Sequence, residues 1–113
     1  MFTIMEIKTD QTDNYTKIAI IGRVDTVTAA QLEKAIQSVL ENEPKSIIMD
    51  CTELDYISSS GLRVFLILQK KMVVKNARLS LFGLNPNIKE IFDISGFSTI
   101  FKIFPDLKKA INN

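Results

Sequence analysis

Three consecutive hydroxyls and a glycine, Ser58-Ser59-Ser60-Gly61, stand within Asp55-Tyr56-Ile57-Ser58-Ser59-Ser60-Gly61-Leu62-Arg63, where a strand and loop give way to a long apolar helix. A serine at that place sits on a helix N-terminus. Its first turn has about four backbone N–H groups without intrahelical partners and a partial positive charge from the aligned peptide dipoles. Phosphate on such a serine is held by those donors and carries roughly −2 charge. Adding it changes what the surface binds more than it damages the fold. The plainer reading is a helix cap, a role in which serine is worth about 1 kcal/mol over alanine. Position alone is compatible with both.

Other chemistries find less material. The chain has no histidine, so a Ser-His-Asp triad, a Cys-His pair and a histidine-based metal site are all excluded. Ser59 as a catalytic nucleophile lacks a visible base. Asp50, Glu53 and Asp55 crowd a strand end and turn; a solvated loop accounts for them more simply than a metal cluster, and no metal is expected. Neither a Walker phosphate loop nor a Gly-x-Gly-x-x-Gly after a strand is present, so no nucleotide cofactor is expected. Cys51 is the single cysteine and reads as a small hydrophobe closing a buried strand.

The elements that must position the serines follow from periodicity. Met5–Asp10 alternates apolar and polar residues, Tyr15–Ile21 resumes the alternation until Gly22, and Gln11-Thr12-Asp13-Asn14 turns between them. Thr28 is placed to cap a helix whose stripe is Leu32, Ala35, Ile36, Val39 and Leu40, ended by Asn42-Glu43-Pro44. Ser46–Asp50 reads as a central strand, apolar on both faces. The second helix is expected from Ser59 or Ser60 to the region of Asn76, with Leu62, Phe65, Leu66, Met72 and Val73 facing the core. Val64, Ile67, Leu68 and Val74 are surplus to that stripe, to be covered by another element or a partner. A strand over Ala77–Leu84 follows. Next comes a helix with Asn85 as cap, Pro86 in its first turn, Ile88, Ile91 and Phe92 inside, and Gly96 closing it. Ile100–Phe104 reads as a brief extended segment, and Pro105-Asp106 opens a last helix with Leu107 and Ile111 inward.

At 113 residues the chain suits one domain over 1–113, since a second core could not be buried. With 46% hydrophobic and 24% charged residues and a net charge of +1, neither a nucleic-acid footprint nor a polybasic membrane patch is expected. No apolar run reaches the roughly 18 residues that span a bilayer, and no secretory signal is visible. The lone thiol fits a reducing cytoplasm.

Three blocks carry a wider pattern: Gly22-Arg23-Val24-Asp25-Thr26-Val27-Thr28-Ala29-Ala30-Gln31-Leu32, Tyr56-Ile57-Ser58-Ser59-Ser60-Gly61-Leu62-Arg63-Val64, and Ile88-Lys89-Glu90-Ile91-Phe92-Asp93-Ile94-Ser95-Gly96. Together, in this order and spacing, they resemble the STAS domains of bacterial anti-sigma-factor antagonists. The resemblance covers nearly the whole chain. It implies an α/β domain with a mixed β-sheet of about four to five strands and about four helices, predominantly on one face. It also implies that a serine-kinase anti-sigma factor phosphorylates the first serine of an Asp-Ser-Ser/Thr-Gly motif, and that a phosphatase resets it. Laid on Ser58-Ser59-Ser60-Gly61, the motif makes Ser59 the phosphosite and puts Ser58 in place of the aspartate. Asp25, Thr26, Ser58, Ser60, Gly61 and Arg63 then form the implied partner surface. Asp25 matches the family's acidic residue and is equally suited to cap a helix. Arg23 stands where many members carry glutamate, and Arg63 replaces a common glycine. Arg63 lies four residues past Ser59, one turn from a phosphate there, and is otherwise an ordinary solvent-facing arginine. The implied function is partner switching by a protein that is not an enzyme. The other use of such a scaffold is as an unphosphorylated subunit of a transporter ATPase or signalling assembly.

Overall fold

Two tight devices at the chain's first turn set the start of the sheet. The Thr12 hydroxyl accepts from the backbone N–H groups of Asn14 (3.2 Å) and Tyr15 (3.1 Å), closing a turn that brings β1 (Met5–Gln11) antiparallel to β2 (Thr16–Val24). The computed structural model describes residues 5–113; residues 1–4 of the expected 1–113 domain lie outside it. After β2 come α1 (Thr26–Leu40), β3 (Ser46–Asp50), β4 (Leu54–Ile57), α2 (Ser59–Val74) and β5 (Arg78–Phe82). Then follow α3 (Pro86–Ile94), a 3-10 turn at Phe97–Thr99, β6 (Lys102–Phe104) and α4 (Leu107–Ile111).

The sheet runs β1-β2-β3-β5-β6, with every pair beyond β1·β2 parallel, and β4 added to the far end of β2. Five strands lie on the main path, in keeping with the expected about four to five, and one more makes six. The additional one is β4, whose middle residues Asp55 and Tyr56 are exposed; pairing with β2, and not its own apolar pattern, makes it a strand. Gly22 does not end β2 as expected. It adopts φ +100°, and the register with β4 shifts between Gly22 and Arg23, so the strand bulges there and continues to Val24.

Most of the core lies between one sheet face and the first three helices. Ile18, Ile20, Ile47, Met49, Leu79 and Leu81 are buried in one cluster with α1, α2 and α3. Helices do sit predominantly on one face. The other face carries a small cluster of Ile48, Phe82 and Ala110, covered by α4. In α1 the expected stripe holds, with Leu32, Ile36, Val39 and Leu40 buried. In α2 the buried residues are Gly61, Val64, Phe65, Leu68 and Met72. Val64 and Leu68, read as surplus, are core, whereas Val73 is 65% exposed. In α4 the inward residue is Ala110; Ile111 is half exposed, contrary to the expected inner face.

Candidate functional site

The divided pairing of β2 builds the site. Its first half, Thr16–Ala19, runs beside β3, and its last residues, Gly22–Val24, run beside β4. Val24 and Ile57 are register partners. The chain therefore leaves both strands at adjacent points, and each exit leads straight into a helix, through Asp25 into α1 and through Ser58 into α2. Ser58 N–H donates to the Val24 carbonyl at 2.8 Å, tying the two exits together. Two helix N-termini with their orphan N–H groups and positive dipole ends thus lie side by side.

Asp25, not Thr28, is the N-cap of α1. One oxygen of its carboxylate accepts from the Val27 and Thr28 N–H groups, both at 3.0 Å, while the Thr28 hydroxyl accepts from the Asp25 N–H at 2.8 Å. This reciprocal box makes Thr28 the closing partner of the cap. Hydrogen bonding, led by the Thr28 N–H, holds the Asp25 carboxyl below the ordinary carboxylate range. A depressed folded pKa contributes stability above the unfolded value, and that stability is lost as pH falls through the folded one. The melting temperature followed downward from pH 7 is therefore expected to fall below about pH 4, and to fall less steeply in Asp25→Asn. An identical acid limb in the two proteins would show that the cap is not linked to stability.

Ser58 is the N-cap of α2, its hydroxyl accepting from Gly61 N–H at 3.3 Å. Ser59 is the first residue of the helix and is exposed. Thr26, first residue of α1, is exposed beside it on the same end of the fold. Ser60 is half-buried in a groove of about 230 Å³ between α1 and α2, lined also by Ala29, Ala30, Glu33, Arg63 and Val64. Arg63 is exposed on that groove. Gly61 is buried: a Cβ there would meet Cγ1 of Ile57 and Cγ1 of Val24, each at 2.7 Å. It shapes the surface from beneath, by letting the first turn of α2 rest on the two strand ends. The structure thus brings Asp25, Thr26, Ser58, Ser59 and Ser60 to one end of the molecule, with Arg63 one turn further along α2.

Three further side chains complete this end. Val27 is 78% exposed in the first turn of α1. Tyr56 is exposed on β4, and the Arg23 guanidinium lies 4.3 Å above its ring centre, a cation–π contact between register partners. Val27 escapes a reading by stripes because it belongs to no stripe; an apolar residue flanking a cap is its one signal. Cys51 lies apart, fully buried, and burial followed by the charge of Asp50 drives its thiol pKa far up, so it is held as the neutral thiol. Asp50 is engaged locally, accepting from the Thr52 N–H at 3.0 Å and hydroxyl at 2.7 Å.

Comparison with known proteins gives the pattern a context. A family model described as the STAS domain matches residues 6–110. The chain is 34% identical over 99 residues to BtrV of Bordetella bronchiseptica, provisionally named an anti-sigma factor antagonist, covering 88% of this chain and 85% of that protein. It is 33% identical over 99 residues to the anti-sigma-B factor antagonist of Listeria monocytogenes, covering 88% and 86%. The fold is similar to the Bacillus anti-sigma factor antagonist SpoIIAA at 19% identity and 95% of this chain. The TM-score is 0.78 for its unphosphorylated form, 94% of which is covered, and 0.73 for its phosphorylated form, 97% of which is covered.

Proposed function

Since this chain belongs to the STAS domain family, we propose that it is an anti-sigma factor antagonist acting by partner switching. Unphosphorylated, it binds a serine-kinase anti-sigma factor and so frees a sigma factor. Phosphate on Ser59 weakens that complex, and a phosphatase restores it. The protein is then a phosphoacceptor and not an enzyme, ATP and its metal belong to the kinase, and the cycle runs in the cytoplasm. Residues 1–113 act as one STAS domain. Any effect on transcription is indirect, without contact to nucleic acid or insertion in a membrane.

The observation that carries this reading is the exposed Ser59 at the first position of α2, beside the two caps Asp25 and Ser58. A phosphate there has unpaired helix N–H groups within reach and solvent around it, so the modified chain keeps its fold. The partner surface is formed by Asp25, Thr26, Ser58, Ser60 and Arg63, with Gly61 seating the helix beneath them. Ser58 caps α2 in place of the motif aspartate, and hydrogen bonding to Gly61 N–H is within the ability of either residue. The proteins it resembles are named antagonists of anti-sigma factors, which agrees with this assignment.

The test is retention of partners from native lysate on wild-type and Ser59→Asp baits, with phosphopeptide mapping of the protein after incubation with ATP and the retained fraction. A serine-kinase-like anti-sigma factor on the wild-type bait alone, and phosphate on Ser59 that disappears in Ser59→Ala, are expected. Stoichiometric phosphate on Ser59→Ala would remove Ser59 as the site. Equal recovery of transporter or signalling subunits by both baits would replace the switch with a constitutive scaffold.

A further inference from the structure

The opposite end of the molecule holds a second feature. β6 begins at Lys102, whose register partner on β5 is Ser80, whereas β5 itself begins at Arg78. Below Ser80, the outer edge of β5 has no neighbouring strand among the described residues. A cavity of about 450 Å³ occupies this notch, within the usual size range of small-molecule sites. One wall is the end of α2 with Ile100, fixed by Gln69 Nε2 donating to the Ile100 carbonyl at 3.2 Å. The other is the end of α4. The cavity runs on beneath α4 over Ile48 to Tyr15.

The charged side chains of the notch are all of one sign, and they outweigh the partial negative charge of the α2 and α4 C-terminal ends that wall it. Arg78 and Lys102 line it, Lys45 stands at its rim, and no aspartate or glutamate side chain does so among the described residues. Alternation along each strand and the registers Ser46↔Arg78 and Ser80↔Lys102 put Arg78, Ser80 and Lys102 on the same sheet face as Ile48. From strand spacing and rise, the Cα atoms of Arg78 and Lys102 are roughly 8 Å apart, so both heads can reach one anion. The ion pair found among the described residues, Lys89 with Asp93, is on α3, which leaves both cations uncommitted. The half-buried Tyr15 offers an aromatic surface beyond them, over the buried Ile48.

We propose that this notch is a binding site for a small organic phosphate. Arg78 and Lys102 take the phosphoryl oxygens, Arg78 through paired N–H donors and Lys102 as a point charge, while the organic body lies against Tyr15. The site is independent of the Ser59 end. Val73 at the notch is 14 residues along α2 from Ser59, roughly 20 Å away.

Titration of the full chain with phenyl phosphate, inorganic phosphate and benzyl alcohol, read by amide chemical-shift perturbation, tests it. Saturable binding of phenyl phosphate is expected, with shifts confined to Tyr15, Ser46–Ile48, Arg78–Ser80 and Lys102. Arg78→Ala/Lys102→Ala should weaken it at least about tenfold, because two charge-assisted contacts are lost. Both positions are exposed, and unchanged thermal unfolding of the variant shows that the fold is kept. Ser59→Ala should bind as wild type. Inorganic phosphate binding as tightly as phenyl phosphate would assign the notch to the free anion, still through the same two cations. No saturable binding, equal binding of benzyl alcohol, or unaltered affinity in the double variant would each overturn the proposal.

Discussion

Gly61→Val is expected to lower stability by about 2 to 3 kcal/mol, the cost of inserting methyl groups into a packed core. The ideal Cβ alone would stand 2.7 Å from the Cγ1 methyl of Val24 and the Cγ1 methylene of Ile57, and these residues are only 0% and 3% exposed. Neither can swing out to solvent. The helix propensity gained by leaving glycine, a few tenths of a kcal/mol for valine, does not offset that overlap. Urea unfolding should show a lower midpoint at an unchanged slope. Val24→Ala by itself leaves a cavity and should cost about 2 kcal/mol. In the double variant the removed methyl makes room for part of the new side chain, so the combined loss should fall short of the sum by about 1 kcal/mol. Strict additivity, or a Gly61→Val protein as stable as wild type, would show that α2 does not rest on the strand ends as described. The same contact has a functional side. A displaced first turn moves Ser59 and the donors around it, so partner affinity should drop in Gly61→Val though no surface residue has changed.

What the sequence made legible was set by how far each signal depends on local geometry. The stripe of α1 was readable because Leu32, Ile36, Val39 and Leu40 recur at helical spacing against a polar remainder. In α2, apolar residues go nearly all the way round, and a period-based choice between Leu66 or Val73 and Val64 or Leu68 is undetermined until the sheet fixes the rotation of the helix. β4 has no alternation of its own to read, since Asp55 and Tyr56 are exposed between Leu54 and Ile57. It exists because the end of β2 leaves β3 and offers a new edge. The cap at Asp25 is half legible: an acidic residue before a helix is suited to cap it, but Asp25-x-x-Thr28 lacks the glutamate or glutamine of the usual box, so that Thr28 is by type an equally good cap until the backbone shows where the helix begins. The adjacency of Asp25 and Ser58 rests on parallel pairing between segments more than thirty residues apart, which no local pattern encodes. The notch of Arg78 and Lys102 is the same kind of product, made by one strand starting two residues after its neighbour.

Phosphate on Ser59 is expected to weaken the complex with the retained anti-sigma factor about a hundredfold, equivalent to roughly 3 kcal/mol. The loss arises at the interface and not in the fold. Within the free protein the dianion meets the N-terminal donors of α2 and, across the Val24–Ile57 pair, the positive end of α1. It also meets the Asp25 carboxylate, already engaged by α1 and held ionised. These opposing terms leave folding stability little changed. When a partner covers Ser59, the same dianion must shed water while its favourable donors are already in use, and desolvated charge is costly unless newly paired. Ser59→Asp places a single charge on a shorter reach and should give the smaller effect, about tenfold, whereas Ser59→Ala should bind as tightly as wild type. Isothermal titration of the four proteins against the purified partner decides the matter. The order wild type and alanine, then aspartate, then phosphoserine is required, with melting temperatures alike throughout. Phosphoserine binding as tightly as serine would falsify the switch. A melting temperature that falls in step with affinity would place the effect in the fold of α2 instead of in the contact it makes.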